Sequence, residues 1–305
     1  MQTKQQLQEH IRRDRRAVLL VNTASRRAGR FADRARSLLE DRGMAFDRVL
    51  EVPDGRELGA VLAQALALEP ALLIVGGGDG TLSRCAAALA YRDTVLGILP
   101  LGTTNNFARS MGIPLELTAA VEVITTGKVA DVDLGMANGR YFANVAGVGL
   151  SALVAAGTGP RMKRRLGRLA YVVTGLRILA RHRPFSAWLD SESAVTPLIT
   201  HQLVIANGGF HGGSPIRGAG IDDRLLAVFG LGGGHRAGFL VELGLFVLGF
   251  HRPATGFLLI DRLRIETGRP VPVELDGELA GTTPLLVEVA AEALKIMVLP
   301  SFQDD

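Results

Sequence analysis

The sequence predicts an α/β domain built on a parallel sheet, followed by a mostly antiparallel β-sandwich domain. Three observations carry that expectation. Short apolar runs alternate with helical patterns from Ala17 to about Val132. Glycine-bearing loops follow two of those runs directly. After Val132 the texture changes to short β-rich segments with turn punctuation. Strand, loop and helix in repetition give a parallel sheet with helices on both faces, whereas closely spaced short strands give antiparallel sheets.

In order, AVLLVN reads as a strand ending in Asn22, residues 30–42 as a helix, and FDRVLEV as a second strand. Residues 58–68 are helical, 71–75 form a strand, and 82–90 form the next helix. TVLGILPLG supplies a strand and turn, and residues 117–126 a helix that Gly127 ends. Beyond Val132, the segments RYFANVAGVG, FSAWLD, THQLVIANGG, RLLAVFGL, RLRIETGRPVPVELDGE and LLVEVAAEALKIMVLP read as strands and turns. Helical patterns near 163–181 and 237–249 interrupt them. The expected domains are residues 15–132, with 294–305 returning to them, and residues 133–293.

Composition narrows the function classes. At 305 residues, with 48% apolar and 21% charged side chains, the chain has material for a sizeable core. A net charge of +4 mildly favours an anionic partner: phosphate, acidic lipid or nucleic acid. A single cysteine, Cys85, excludes an intrachain disulfide framework and a cysteine-built zinc site. The six histidines show no metal-binding spacing. MQTKQQLQEHIRRDRR has no apolar signal region, and the run from Ala237 to Phe250 is interrupted by Glu242 and too short to span a bilayer. The expectation is a soluble or peripheral cytoplasmic protein.

The stretch ALLIVGGGDGTLSR places Gly77, Gly78, Asp79, Gly80 and Thr81 between a buried strand and a helix. Consecutive bare amides near a helix N-terminus suit phosphate oxygens. A carboxylate among them points to metal or general-base chemistry, because alone it would repel phosphate. The bland alternative is a tight strand-to-helix turn with Asp79 as N-cap. A second loop, LPLGTTNNFARSMG, follows another strand with Gly102, Thr103, Thr104, Asn105 and Asn106. A third, VNTASRRAGR, offers Asn22, Thr23, Ser25 and Gly29. Loops at strand C-termini of one parallel sheet meet where such sheets bind ligands. There is no GxxxxGK[ST] and no HRD or DFG set, which excludes P-loop NTPases and protein kinases. Gly147-Val148-Gly149 with Ala152 mimics a dinucleotide fingerprint but lacks the acidic residue and the βαβ context.

GGGDGT, PLGTTNNFAR and VNTASRRAG together resemble the diacylglycerol kinase catalytic-domain family, which includes bacterial lipid kinases and sphingosine kinases. That family shares its nucleotide domain with NAD kinases. The resemblance continues through DVDLG, NVAGVGLSA, RRLGRLAYVVTGLR, IANGGFHGG, GIDDRLLAV and VELDGE, covering nearly the whole chain from about Val18. It implies ATP-dependent phosphorylation of a lipid hydroxyl, with diacylglycerol or a sphingoid base as acceptor. ATP-binding positions fall on Asn22, Thr23, Ser25, Gly77, Gly78, Asp79, Gly80, Thr81, Gly102, Thr103 and Asn105. The family's general base corresponds to Glu278, with Asp276 beside it. Its magnesium maps to Asp223 and the carbonyls of Gly220 and Leu225, while Asp79, with Asp133, organises the catalytic Mg²⁺. Read without the family, Asp276-Gly277 is a hairpin turn and Asp222-Asp223 are solvated turn carboxylates.

The departures are Asn106, Arg224, Ala227, Glu51 and Ser83-Arg84, where the family usually carries other residues. They leave open a weakened nucleotide- or lipid-binding regulator, and shared GGDGT leaves open a soluble-substrate kinase such as an NAD kinase. In GPRMKRRLGRLAYVVTGLRILARHRP, Met162, Leu166, Leu169, Val173, Leu176 and Ala180 form one apolar helical face flanked by arginines. Such a face either lies on an anionic membrane, here the inner leaflet, or packs on the β-domain. A lipid substrate is the expected partner, nucleic acid is not, and a homodimer is compatible with the sequence.

Overall fold

The computed structural model describes residues 2–24, 26–158, 168–192, 194–211, 213–216, 218–248 and 257–304. The chain forms two compact units. The first comprises residues 1–134, 221–223 and 290–305; the second comprises 135–220 and 224–289.

In the first unit, β1 (Arg16–Asn22), β2 (Ala45–Val52), β3 (Leu72–Gly77) and β4 (Val95–Pro100) pair in parallel in the order β2-β1-β3-β4. The end of the last strand, β18 (Leu285–Val298), adds a parallel neighbour to β4 at Ile296. Val18 to Val21 and Leu72 to Val75 are almost fully excluded from water. Burial on both faces explains their unbroken apolar runs, each such side chain contributing about 1.5–3 kcal/mol. Around them lie α2 (Arg26–Asp41), α3 (Leu58–Leu66), α4 (Asp79–Leu89), α5 (Asn106–Ser110) and α6 (Leu117–Thr126).

Three boundaries differ from expectation. First, α2 begins at Arg26, so Gly29 lies inside a helix and not in the third loop. Arginine and alanine favour helix, and Ala32, Ala35 and Leu39 bury a face that outweighs the roughly 1 kcal/mol cost of one glycine. Second, α4 begins at Asp79, three residues early, with Gly78 as the N-cap. Asp79 is therefore a first-turn residue, where a carboxylate complements the helix dipole. Third, the polar N-terminus forms α1 (Lys4–Asp14), started by a capping box between Thr3 and Gln6 and docked through Leu7 and Ile11.

The second unit is a sandwich. One sheet is six-stranded and antiparallel, β14-β13-β10-β7-β16-β17, comprising β14 (Leu258–Ile260), β13 (Leu226–Leu231), β10 (Gln202–Ala206), β7 (Val145–Gly149), β16 (Pro272–Leu275) and β17 (Glu278–Thr282). The other sheet places β15 (Arg262–Thr267) between the first half of β18 and β8 (Phe185–Asp190), with β9 (Val195–Thr200) beyond. Val148, Leu203, Val273 and Leu275 of the first sheet share one core with Phe185, Leu189, Ile265 and Val287 of the second. Over the opposite face of the six-stranded sheet lie α7 (Leu150–Gly157), α8 (Arg168–Leu179) and α9 (Arg236–Val247), which contribute Leu150, Leu179, Phe239 and Phe246 to a separate core with Val204 and Phe229. The Gly147-Val148-Gly149 mimic thus belongs to an antiparallel strand entering a short helix.

Candidate functional site

In the first unit, the loops after β3 and β4 touch backbone to backbone. A Cβ on Gly102 would lie 2.5 Å from the Gly78 Cα, so the second loop admits no side chain there, and a Cβ on Gly78 would lie 3.2 Å from the Gly102 Cα. A Cβ on Gly77 would lie 2.7 Å from the Thr81 side chain. Asp79 links the loops: Thr104 Oγ1 donates to one carboxylate oxygen at 2.8 Å, and the Phe107 N–H donates to the other at 3.1 Å. Asn105, left-handed with φ 49°, closes its own loop by accepting from the Gly102 N–H at 2.9 Å and donating to the Gly102 carbonyl at 3.1 Å. From the end of β1, Asn22 Nδ2 donates to Thr81 Oγ1 at 2.8 Å. Asn22, the Gly77–Thr81 loop, Gly102 and Asn105 are therefore brought together; Thr103 is exposed beside them, and Thr23 donates its N–H to the Val52 carbonyl. Ser25 lies outside the described residues, as do residues 159–167 with Met162, Leu166 and most of the basic cluster.

Asp133 is buried, and its Oδ1 accepts the Glu292 N–H at 2.9 Å, bracing β5 (Lys128–Ala137) against the end of β18. Cys85 is buried in α4, and burial pushes its thiol up to about 12, which leaves it inert as a nucleophile.

In the second unit, Asp276 and Gly277 form the two-residue turn between β16 and β17, both with positive φ, 49° and 87°. Both oxygens of Asp276 are engaged: it accepts from the N–H groups of Ala143 (2.7 Å), Asn144 (2.9 Å) and Val145 (3.0 Å). Asp276 fixes the turn, and the turn presents Glu278 at the surface. The preceding residue, Gly277, lines a cavity of about 500 Å³ whose walls are mainly apolar, including Val154, Leu176, Val204, Leu240 and Phe246. That volume suits a drug-sized or acyl-chain ligand.

Gly220, Asp223 and Leu225 bracket one bend, in which Arg224 is exposed and left-handed. The bend offers two carboxylates, Asp222 and Asp223, and backbone carbonyls. These are hard oxygen donors compatible with a largely hydrated Mg²⁺. No cluster of three metal-ligating side chains occurs among the described residues.

Residues 16–137 match the family model described as the diacylglycerol kinase catalytic domain, and residues 144–298 match the YegS C-terminal NAD kinase beta sandwich-like domain. A Pseudomonas aeruginosa protein named "Probable lipid kinase YegS-like" is 35% identical over 250 residues, covering 77% of this chain and 79% of that one. The chain belongs to the diacylglycerol kinase family. A Bacillus subtilis protein named diacylglycerol kinase is 29% identical over 222 residues, 70% of this chain and 73% of that one. A crystal structure described as a diacylglycerol kinase from Bacillus anthracis str. Sterne has the same fold, with a TM-score of 0.72 over 94% of this chain and 98% of that one, at 23% identity.

Membership makes the chain a kinase of the lipid-kinase type, and ATP is the phosphoryl donor the family implies. Reading the sequence missed Thr104 and the Phe107 N–H as partners of Asp79, because only the folded loops bring positions 79, 104 and 107 together. It also missed Ser151, Gln202 and Glu274 on the cavity wall. One signal was present: in PVELDGE, alternation puts Glu274 on the face opposite Val273 and Leu275, so a carboxyl faces the helices over the sheet.

Proposed function

We propose that this kinase transfers the γ-phosphoryl group of ATP to the hydroxyl of a membrane lipid held in the cavity of its second unit. The observation that carries this reading is the position of Glu278, one residue beyond the cavity-lining Gly277 on a turn fixed by Asp276. A carboxylate there is suited to accept the proton that the alcohol loses as phosphoryl transfer proceeds. In the first unit, the N–H groups of Thr81 and Leu82 donate to the Gly78 carbonyl, those of Asp79 and Gly80 at the start of α4 have no carbonyl one turn earlier in the helix, and Gly77, Gly78, Gly80 and Gly102 let triphosphate oxygens approach closely. Asn22, Thr23, Ser25, Thr81, Thr103 and Asn105 complete the proposed nucleotide contacts.

When bound, Mg²⁺ neutralises charge on the transferring phosphoryl group. Asp79, and Asp223 with the carbonyls of Gly220 and Leu225, are the proposed oxygen donors for it. Asp276 acts as a positioning residue.

The cavity walls also support access from a bilayer. Val172, Leu176, Leu240 and Leu243 line the cavity yet remain exposed, and Val241 and Leu248, at 62% and 69% exposure, extend the apolar surface along α9. Glu242 is turned back to accept the Gly232 N–H at 2.6 Å, which leaves that surface uncharged. No helix among the described residues is long and apolar enough to cross a membrane. The proposed mode is peripheral contact with an anionic surface.

The test is turnover of ATP against a panel of diacylglycerol, sphingosine and NAD, with Glu278→Gln alongside. The expected result is phosphorylated lipid from the wild type and at least about a hundredfold loss in Glu278→Gln at unchanged melting temperature, the lower end of a general base's contribution. NADP as product, or full activity in Glu278→Gln, would overturn the reading.

A further inference from the structure

Against the apolar walls of the cavity stand Ser151, Gln202 and Glu274, tied to one another. Ser151 Oγ donates to Glu274 Oε1 at 3.1 Å, and Gln202 Nε2 donates to Ser151 Oγ at 2.9 Å. The Ser151 N–H donates to Gln202 Oε1 at 2.6 Å, and the Gly277 N–H donates to Glu274 Oε2 at 2.6 Å. The cluster fills the space that a side chain at position 147 would need: a Cβ on Gly147 would lie 2.3 Å from Ser151 Oγ and 2.4 Å from Glu274 Oε1. Bare backbone at Gly147 therefore admits the cluster.

Glu274 is 5% exposed and has no cationic partner among the described residues. An unpaired carboxylate is costly in such a place, and a carboxylic acid is not. Burial first, then the charge of Asp276, pushes Glu274 up to about 7, against the opposing pull of the Gly277 N–H and Ser151. As an acid, Glu274 carries a proton to donate, while the four bonds above occupy its oxygens and its neighbours with one another. In a mainly apolar cavity, a few convergent polar groups of this kind orient a ligand.

We propose that Glu274, positioned by Ser151 and Gln202, is the specificity-determining residue of the cavity and donates a hydrogen bond from its carboxylic acid to a hydroxyl or ester oxygen of an uncharged glycerolipid head. A cationic amino head, as in a sphingoid base, is disfavoured because its desolvation would need an ionised Glu274 to offset it. The inference rests on the cavity being the acceptor site.

The titratable groups around Glu274 are Asp276 and Glu278 on its own hairpin and His211 on the cavity wall; α7 and β10 supply none. Because Glu274 is neutral below about pH 7, glycerolipid affinity is present there and is lost as pH rises through that value.

The experiment is equilibrium binding of dioctanoylglycerol and of sphingosine to the full chain in mixed micelles, without ATP, from pH 5.5 to 8.5. For the wild type, dioctanoylglycerol affinity falls about three- to tenfold across that range, the worth of one neutral hydrogen bond. Glu274→Gln keeps a donor and loses the pH dependence, which separates Glu274 from His211. Glu274→Leu and Ser151→Ala bind dioctanoylglycerol three- to tenfold more weakly at pH 6. Four results would overturn the inference: wild-type pH dependence in Glu274→Gln, unchanged affinity in both other variants, tighter binding of sphingosine that strengthens with pH, or no lipid binding at all. A chain that binds in the expected pattern yet transfers no phosphate overturns the kinase-substrate reading and leaves this one standing. Lipid phosphorylation indifferent to Glu274 does the reverse.

Discussion

At the scale of single residues, three carboxylates divide distinct tasks through their partners. Asp79 joins two loops, Asp276 fixes a turn with three backbone N–H groups, and Glu278 stands exposed just beyond that turn, the group proposed to take the alcohol proton. Their chemical type was legible in the sequence, but their partners were not. Asp79 meets Phe107 across 28 positions, and Asp276 meets Ala143 across 133. A buried pair that no sequence pattern connects is His182 and His201, whose Nδ1 atoms lie 2.9 Å apart. One Nδ1 must donate and the other accept, so the two rings cannot both be charged. Burial, followed by His201 and two nearby arginines, holds His182 down to about 4. With the folded value depressed, the unfolded chain binds the extra proton first. The pair's contribution to stability is therefore complete above about pH 6.5 and is lost as pH falls from there towards 4. Urea denaturation of the wild type and of His182→Asn should diverge at pH 7.5 and converge by pH 4.5. A constant difference between them would contradict this.

At the scale of elements, periodicity located most strands and helices of the first unit, because strands buried on both faces must be apolar throughout. Boundaries shifted where the decisive contact was tertiary. The face of α2 against the sheet carried that helix back through Gly29, and the α1 helix depends on Leu7 and Ile11 finding a core. The short α7 after β7 was hidden because a glycine-rich strand feeding an apolar helix looks like one continuous strand. The glycine loops were the most legible feature, since close backbone approach leaves only one residue type possible. Gly102→Ala tests that: with the Gly78 Cα at 2.5 Å and no flexible side chain to yield, the loops must separate. ATP binding measured by calorimetry should weaken at least tenfold in this variant, while a Gly55→Ala control, outside the three loops and with open space at its Cβ, should keep wild-type affinity. Equal affinities would show that the loop contact does not shape the nucleotide site.

At the scale of the whole molecule, the last strand belongs to both units. Its first half pairs with β15 in the sandwich, and its end lies beside β4, with Leu294, Ile296 and Val298 fully buried. Deleting residues 290–305 removes those side chains and a sheet neighbour, at a cost of several kcal/mol, comparable to the stability of a typical domain. Circular dichroism melting of the shortened chain should show no cooperative transition for the first unit; an unchanged melt would mean that the returning strand is dispensable. The central proposal concerns chemistry: that amides at two strand ends bind a triphosphate, and that an acid of the sandwich activates a lipid alcohol. The most direct measurement is transfer of ³²P from the γ-position of ATP into the organic phase of a native lipid extract, by the wild type and by Glu278→Gln. The account predicts a labelled lipid with the wild type and background with the variant. Label confined to the aqueous phase in both, or equal label in the organic phase from both, would contradict it.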